Sequence, residues 1–285
     1  MAGPVDDLVD LLDLEAIEVN IFRGAQPPRE NTKHLQRVFG GQVAGQALVA
    51  AARTVEEPER PVHSLHAYFL RPGDMDVPIV YEVDRIRDGR SFSTRRVVAI
   101  QHGRAIFNLQ ASFQVVEQGY EHQAPMPDVP SPDDLPTFEK RFEQAGIDFV
   151  PPPRPIDMRH VEEPVWLNRE RSRTHQHVWF RASSPLPDDP ILHTCVLTYA
   201  SDMTLLDTSL LPHGKTFGDD ALQMASLDHA MWFHRPFRAD EWLLYAQSTP
   251  SASGGRGLAQ GSIFRADGTL AVSVVQEGLI RASAR

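Results

Sequence analysis

Leu222 to Phe237 reads LQMASLDHAMWFHRPF, and its latter part is a worn copy of an earlier stretch. His66 to Pro72 is HAYFLRP, and His229 to Pro236 is HAMWFHRP. Arg71 and Arg235 stand 164 residues apart, and the same offset sets Phe69 on Phe233 and Tyr81 on Tyr245. One structural unit used twice accounts for that spacing. Each copy ends with a tight turn between β-like runs, His102-Gly103-Arg104 and Asp267-Gly268-Thr269, now offset by 165. A slip of one residue is what an indel or a bulge leaves.

Outward from this pair, Val62 to Gln114 is β-like throughout: HSLHAYFL, VPIVYEVDRIRDG, SFSTRRVVAIQHG and RAIFNLQASFQ. Ahead of it Phe39-Gly40-Gly41 opens GGQVAGQALVAAART, a helix whose small side chains let it lie close against a sheet. Downstream the order repeats. Glu163 to Leu167 and His175 to Arg181 are expected as strands. Asp188-Asp189-Pro190 then starts a helix with a cap and Pro at its first turn, running on through ILHTCVLTYASDMTLL. MASLDHAMWFH, EWLLYAQSTPS, GRGLAQGSIFRADG and TLAVSVVQEGLI follow as strands. Between the copies, Pro125 to Pro164 holds 10 of the 23 prolines and one helical piece near Phe138 to Ala145, so it reads as a linker with local structure. At the front, Val5, Leu8, Leu11 and Leu12 recur at helical spacing, and Ile17, Val19 and Ile21 alternate as a strand. The expected class is α+β: two tandem helix-plus-antiparallel-sheet units, residues 1–117 and 161–285, sharing one long curved sheet, with 118–160 as the proline-rich linker.

A formal charge of −10 without a concentrated basic face argues against a nucleic-acid partner. No run of about 18 apolar residues exists, so no membrane span is expected. The acidic, amphipathic start is unlike a secretory or mitochondrial leader, and Ser-Ala-Arg at the end does not match the usual peroxisomal signal, which makes the cytoplasm the default. Cys195, the single cysteine, excludes an internal disulfide and a Cys-based zinc cage, and on the buried stripe it reads as core. Twelve histidines form no compact ligand set. Gly-x-Ser-x-Gly is absent, and Gly254-Gly255-Arg256-Gly257 lies between strands rather than opening a helix, so it is no phosphate loop.

Polar residues on apolar faces locate the chemistry. Leu192, Cys195, Val196 and Tyr199 mark the buried stripe of the second helix, and Asp202, two turns beyond Cys195, points the same way. On the last strand Gln276 shares its face with Leu270, Val272, Val274 and Ile280. An unpartnered buried amide costs on the order of 2 kcal/mol and a lone carboxylate far more, so both need partners or a wet pocket. The first half shows no such expense: Gln276 corresponds to Ala111, Ser226 to Val62, and no acid occurs between Phe39 and Val55. Ser226 by itself shares parity with Asp228 and Trp232, so a bulge or the strand edge decides its aim. One site in the second half follows, with a carboxylate base activating water and an amide and hydroxyl fixing it. The first half then serves as scaffold and lid. Gly40-Gly41 is the candidate helix start for polarising the electrophile, or else a tight strand-to-helix turn. Asp228 is the rival base.

FGGQVAGQAL (Phe39 to Leu48), HSLHAYFLRPGD (His63 to Asp74), RDGRSFSTRRVVAIQHG (Arg87 to Gly103), YASDM (Tyr199 to Met203), LDHAMWFHRPF (Leu227 to Phe237) and VVQEG (Val274 to Gly278) together resemble the bacterial acyl-CoA thioesterase II family over nearly the whole chain. The resemblance implies a double-hotdog fold, assembly into a homo-oligomer (dimer or tetramer), and hydrolysis of fatty acyl-CoA to free acid and CoA without a cofactor. The family's catalytic Asp, Thr and Gln fall on Asp202, Ser226 and Gln276, with Ser here in place of the usual Thr. The expected acyl-chain site is an apolar tunnel against the central helices. Two other functions are weighed beside this one: a hotdog enoyl-CoA hydratase or dehydratase, for which His229 beside Asp228 is the only His/Asp pair in the marked region, and a non-catalytic acyl-CoA-binding protein.

Overall fold

The computed structural model describes residues 3–27, 36–56, 60–148, 152–167, 169, 173–217, 219 and 222–282. Helix α1 (Pro4–Leu12) begins with Pro at its first position and with Gly3 N–H donated to the Asp6 carboxylate; Val5, Leu8 and Leu12 are its buried stripe. Helix α2 (Gly40–Ala52) is buried almost all round, as its glycine- and alanine-rich sequence permits. Short α3 (Phe138–Gln144) is capped by Thr137. Helix α4 (Pro190–Ser201) is capped by Asp189, whose carboxylate accepts from Ile191 N–H at 3.0 Å.

The strands are β1 (Glu15–Glu18), β2 (Ile21–Gly24), β3 (Val62–Phe69), β4 (Ile79–Asp88), β5 (Phe92–Gln101), β6 (Arg104–Gln114), β7 (Ile156–His160), β8 (His175–Ala182), β9 (Leu222–Ser226), β10 (Asp228–Phe233), β11 (Leu243–Ser253), β12 (Arg256–Arg265) and β13 (Leu270–Ala282). They form one sheet in the order β1-β2-β4-β5-β6-β3-β10-β13-β12-β11-β8-β7, with β9 also on β13. From the β3–β10 seam outward the two sides run β3-β6-β5-β4-β2 and β10-β13-β12-β11-β8, the same order twice. His66 pairs across the seam with Ala230, the residue 164 further on, so the pseudo-twofold axis passes through that pair. Tyr81 and Tyr245, another pair at this offset, are fully buried, and each sends its hydroxyl to the central helix of its own half, to Gln46 Oε1 at 2.7 Å and Ser201 O at 3.3 Å.

A bulge stands at equivalent places in both halves. Against β6 the register slips between Val62 and Ser64, around His63. Against β13, Ser226 faces Gly278 while Ala230 faces Val275, a one-residue slip around Leu227, which lies 164 residues after His63. Each bulge reverses the alternation of the residues before it. Val62 and Ser226 thereby turn to the inner face.

Four expectations change. Glu163 to Leu167 is not a strand: Pro164 removes a donor, and Val165 to Leu167 is a turn. The outer strand is β7, which lies within the proline-rich stretch and pairs with β8. Ile17 to Ile21 is not one strand but two, β1 and β2, joined at Val19-Asn20 with Ile17 and Val19 exposed. Met224 to His234 breaks at Leu227. The second central helix stops at Ser201 instead of continuing through Leu206. Asp202 caps it, and a 3-10 helix spans Leu206–His213. The central helices cross at backbone distance, since a Cβ on Gly41 would lie 2.3 Å from Tyr199 O and one on Gly45 3.3 Å from Cys195 O. Among the described residues no helix is long and apolar enough to cross a membrane.

Candidate active site

Asp202 sits where the C-terminal end of α4 meets the N-terminal end of α2. The N-cap residue of α2 is Phe39, which has no side-chain acceptor, so the first amides of that helix lack a local partner. Asp202 supplies one from the other half: Gly41 N–H donates to its carboxylate. Gly40 is equally close, for a Cβ there would lie 2.6 Å from Asp202 Oδ2. Close approach of backbone to carboxylate explains both glycines. At this crossing the Gly40-Gly41 helix start is directed at the Asp202 carboxylate.

Gln276 arrives from β13 on the inner face with no exposure. Its Nε2 donates to Asp202 Oδ1 at 2.6 Å and lies 3.0 Å from Ser226 Oγ. Ser226, turned inward by the bulge, donates to the same Oδ1 at 3.4 Å. Gln276 Oε1 is buried and has no partner among the described residues. The structure thus brings together Asp202, Ser226, Gln276, Gly40 and Gly41 from four separated segments.

Burial pushes the Asp202 carboxyl up to about 6, against the downward pull of the Gln276, Gly41 and Ser226 hydrogen bonds and the positive charge of Arg37. Near neutrality the group is ionised yet close to its own proton affinity, which suits proton transfer. Arg37, missed in the sequence, donates to Met224 O at 2.8 Å and so ties the approach to α2 onto β9, two residues before Ser226. Asp207, also missed, lies on the 3-10 helix. A signal was present, since an acid flanked by Leu205, Leu206, Leu210 and Leu211 is misplaced unless something requires it.

The rival groups are engaged elsewhere. Asp228 lies on the opposite face and accepts from Glu277 N–H at 2.7 Å. His229 is fully buried, held 2.8 Å from Ser201 Oγ and lowered to about 4 by burial, so it stays neutral. Adjacent on one strand, the two point apart. Cys195 is buried, its thiol pushed above the usual range by burial. Among the described residues no group of three or more potential ligands could hold a metal.

Two surface depressions, of about 500 and 440 Å³, lie away from Asp202, one beside Gln123, Arg235 and Arg265, the other beside Arg141 and Trp166. Next to the carboxylate the space is filled by Phe39, edge-on to Tyr199 at 5.0 Å, and by Phe69, 5.0 Å from Phe107.

Two helix-and-sheet units on one shared sheet, with a carboxylate, hydroxyl and carboxamide at the helix crossing, define a double hotdog. A family model described as acyl-CoA thioesterase matches residues 154–279, and one described as acyl-CoA thioesterase N-terminal domain matches 28–114. The chain is 42% identical to acyl-CoA thioesterase 2 of Haemophilus influenzae, covering 99% of this chain and 100% of that one. It is 43% identical to acyl-coenzyme A thioesterase 8 of Mus musculus, over 96% and 88% of the two chains. A crystal structure of an acyl-CoA thioesterase II, TesB2 from Mycobacterium marinum, superposes with a TM-score of 0.80 at 51% identity, covering 96% of this chain and 98% of that chain. The chain belongs to the acyl-CoA thioesterase family.

Proposed function

We propose that this protein hydrolyses fatty acyl-CoA to free acid and CoA by attack of a water molecule for which Asp202 is the general base. The observation that carries the reading is the convergence of Gln276 Nε2 and Ser226 Oγ on one oxygen of a carboxylate whose proton affinity burial has raised. Asp202 takes a proton from water as the water oxygen bonds to the thioester carbon; the C–S bond of the tetrahedral intermediate then breaks, and Asp202 returns the proton to the leaving sulfur to release CoA thiol and free acid. Gln276 Oε1 and Ser226 Oγ orient the water. The Gly41 amide is held by Asp202, so within the substrate-binding role we assign to Gly40 and Gly41, Gly40 N–H polarises the thioester carbonyl and both glycines let it come close. The acyl chain lies against Phe39, Phe69 and Tyr199, and it enters as these rings turn aside. Residues 161–285 carry the chemistry, while 1–117 supply α2, the scaffold and the lid; 118–160 link the two. We further assign it to the cytoplasm, in keeping with its free, buried Cys195. It works there as a homo-oligomer, the assembly that the family resemblance implies.

The test is release of free thiol from acyl-CoA esters of increasing chain length, with the Asp202→Asn variant alongside. Hydrolysis by the native chain and none by the variant is expected. Equal hydrolysis by both removes Asp202 from the mechanism, and binding without hydrolysis by the native chain makes this an acyl-CoA-binding protein. Gln276→Met keeps the side-chain volume but removes the donor. Its kcat/KM is expected to drop roughly 10- to 100-fold, the loss of one hydrogen bond to a charged group. Without the bond that lowers its proton affinity, Asp202 then ionises at higher pH, and the acid limb of the rate profile moves above about 6.

A further inference from the structure

The water attack described for Asp202, Ser226 and Gln276 leaves Asp207 without a part. It is a half-buried carboxyl with no hydrogen-bond partner among the described residues, in a segment otherwise made of leucines and small hydroxyl residues. An unpaired acid there costs stability and contributes no packing.

The fold holds it beside Asp202. The chain from Asp202 to Leu206 is pinned to β13 at both ends. Asp202 is bonded to Gln276, and Leu206 packs where a Cβ on Gly278 would lie, 2.3 Å away. Those anchor points are two residues apart on one strand face, about 7 Å. The middle is clamped as well, with Gln247 Nε2 donating to Thr204 Oγ1 at 2.6 Å and Gln176 Nε2 to Thr204 O at 3.2 Å. Beyond it, Thr208 Oγ1 lies 3.1 Å from both Gln176 Nε2 and Gln247 Oε1. The three-residue period of the 3-10 helix puts Asp207 on the side of Leu210, which packs on Met224 of β9, the strand that ends in Ser226.

Among the described residues the surroundings carry almost no other charge. Toward the 3-10 helix β8 presents Gln176, β11 presents Gln247 and Thr249, β12 presents Gly257, and β13 presents Gln276 and Gly278. Among the described residues, the ionisable groups there include Asp202, Tyr245, whose hydroxyl is pushed up by burial and by Asp202, and Arg37 near Asp202.

We propose that Asp207 is a positioning residue for the hydrolysis, a second carboxylate whose negative charge makes Asp202 a stronger base at and above neutral pH. The inference rests on Asp202 being the base. Burial, and then the charge of Asp202, push Asp207 up to about 7, while Asp202 itself stands at about 6. Coupling is reciprocal: the repulsion that Asp202 exerts on an ionised Asp207 is exerted back on Asp202. As pH rises, Asp202 loses its proton first and the rate climbs. Asp207 then ionises and raises the proton affinity of the working base, giving a second climb.

The experiment is the pH profile of kcat/KM for thioester hydrolysis in the full chain, for native protein, Asp207→Asn and Asp207→Ser, with thermal midpoints measured beside it. Both variants are expected to match the native rate at about pH 5.5, where Asp207 is already neutral, and to fall roughly 3- to 10-fold behind at about pH 8 with only one ionisation step left. A loss of the same size at every pH means a structural role and overturns the proposal. A native-like profile in either folded variant overturns it too. Asp202→Asn, assayed in parallel, separates the two ideas. If it is inactive while Asp207→Asn behaves as native, the Asp207 role alone fails; if it still hydrolyses thioester, the base assignment fails and this inference falls with it.

Discussion

Asp202→Asn is expected to lower kcat by roughly a thousandfold and, in the same molecule, to make the fold more stable at neutral pH. Both effects come from burial. The folded protein holds the Asp202 proton up to about pH 6, whereas the group's ordinary value is 3.8. Between those values the folded state binds more protons than the unfolded chain, so stability falls as pH rises through the window and stays reduced above it. A shift of this size corresponds to about 3 kcal/mol, and partial access to water brings the expected gain on neutralising the side chain to about 1 to 2 kcal/mol. Thermal or urea unfolding of native and variant protein checks this. The midpoints should coincide near pH 4 and separate above pH 6, with the inactive variant the more stable. A variant that is inactive and less stable at pH 8 would mean that Asp202 serves mainly as a cap for α2.

Gly41→Ala is expected to be the most damaging single methyl in the chain. Its Cβ would lie 2.3 Å from the Tyr199 carbonyl oxygen and 2.5 Å from a ring carbon of Phe39. The ring can turn, but the carbonyl belongs to α4 and moves only with the helix. Separating α2 from α4 opens the middle of the core and draws the Gly41 amide away from Asp202, so about 3 kcal/mol of stability and most of the activity should be lost together. Gly45→Ala is the control one turn on. Its closest contacts would be 3.1 Å to a Leu12 methyl and 3.3 Å to Cys195 O, and it should cost about 1 kcal/mol with little effect on rate. Urea unfolding distinguishes the two, and equal effects would show that the helices do not meet most tightly at Gly41.

The doubled architecture was legible because the offset between His66-Arg71 and His229-Arg235 records a symmetry, and side chains that pack alike on both sides of an axis are retained alike. Asp202 and Gln276 were legible because a polar residue on an apolar face violates a simple periodicity. Ser226 was not, since its direction depends on a bulge that parity alone does not reveal. The end of α4 was also hidden: no glycine or proline follows Ser201, and the stop comes from tertiary partners, with Tyr245 donating to Ser201 O and Gln176 to Thr204 O. Arg37 reaches the site only through a contact across the fold, which spacing along the chain does not encode, whereas Asp207 stood out in the sequence as an acid among leucines. The strand expected at Glu163 to Leu167 failed on Pro164, while β7 formed among prolines because it is an outermost strand with only β8 to satisfy.

The paired bulges at His63 and Leu227 bear on how, under the proposed function, the first half differs from the second. Its backbone still delivers a side chain inward at Val62 as the other does at Ser226, and Ala111 occupies the counterpart of Gln276. The fold thus keeps two mounting points and has furnished one. Restoring a second centre would be a problem of side-chain replacement, chiefly of finding room for an acid where α2 now ends near the buried guanidinium of Arg95, and would leave the path of the main chain untouched.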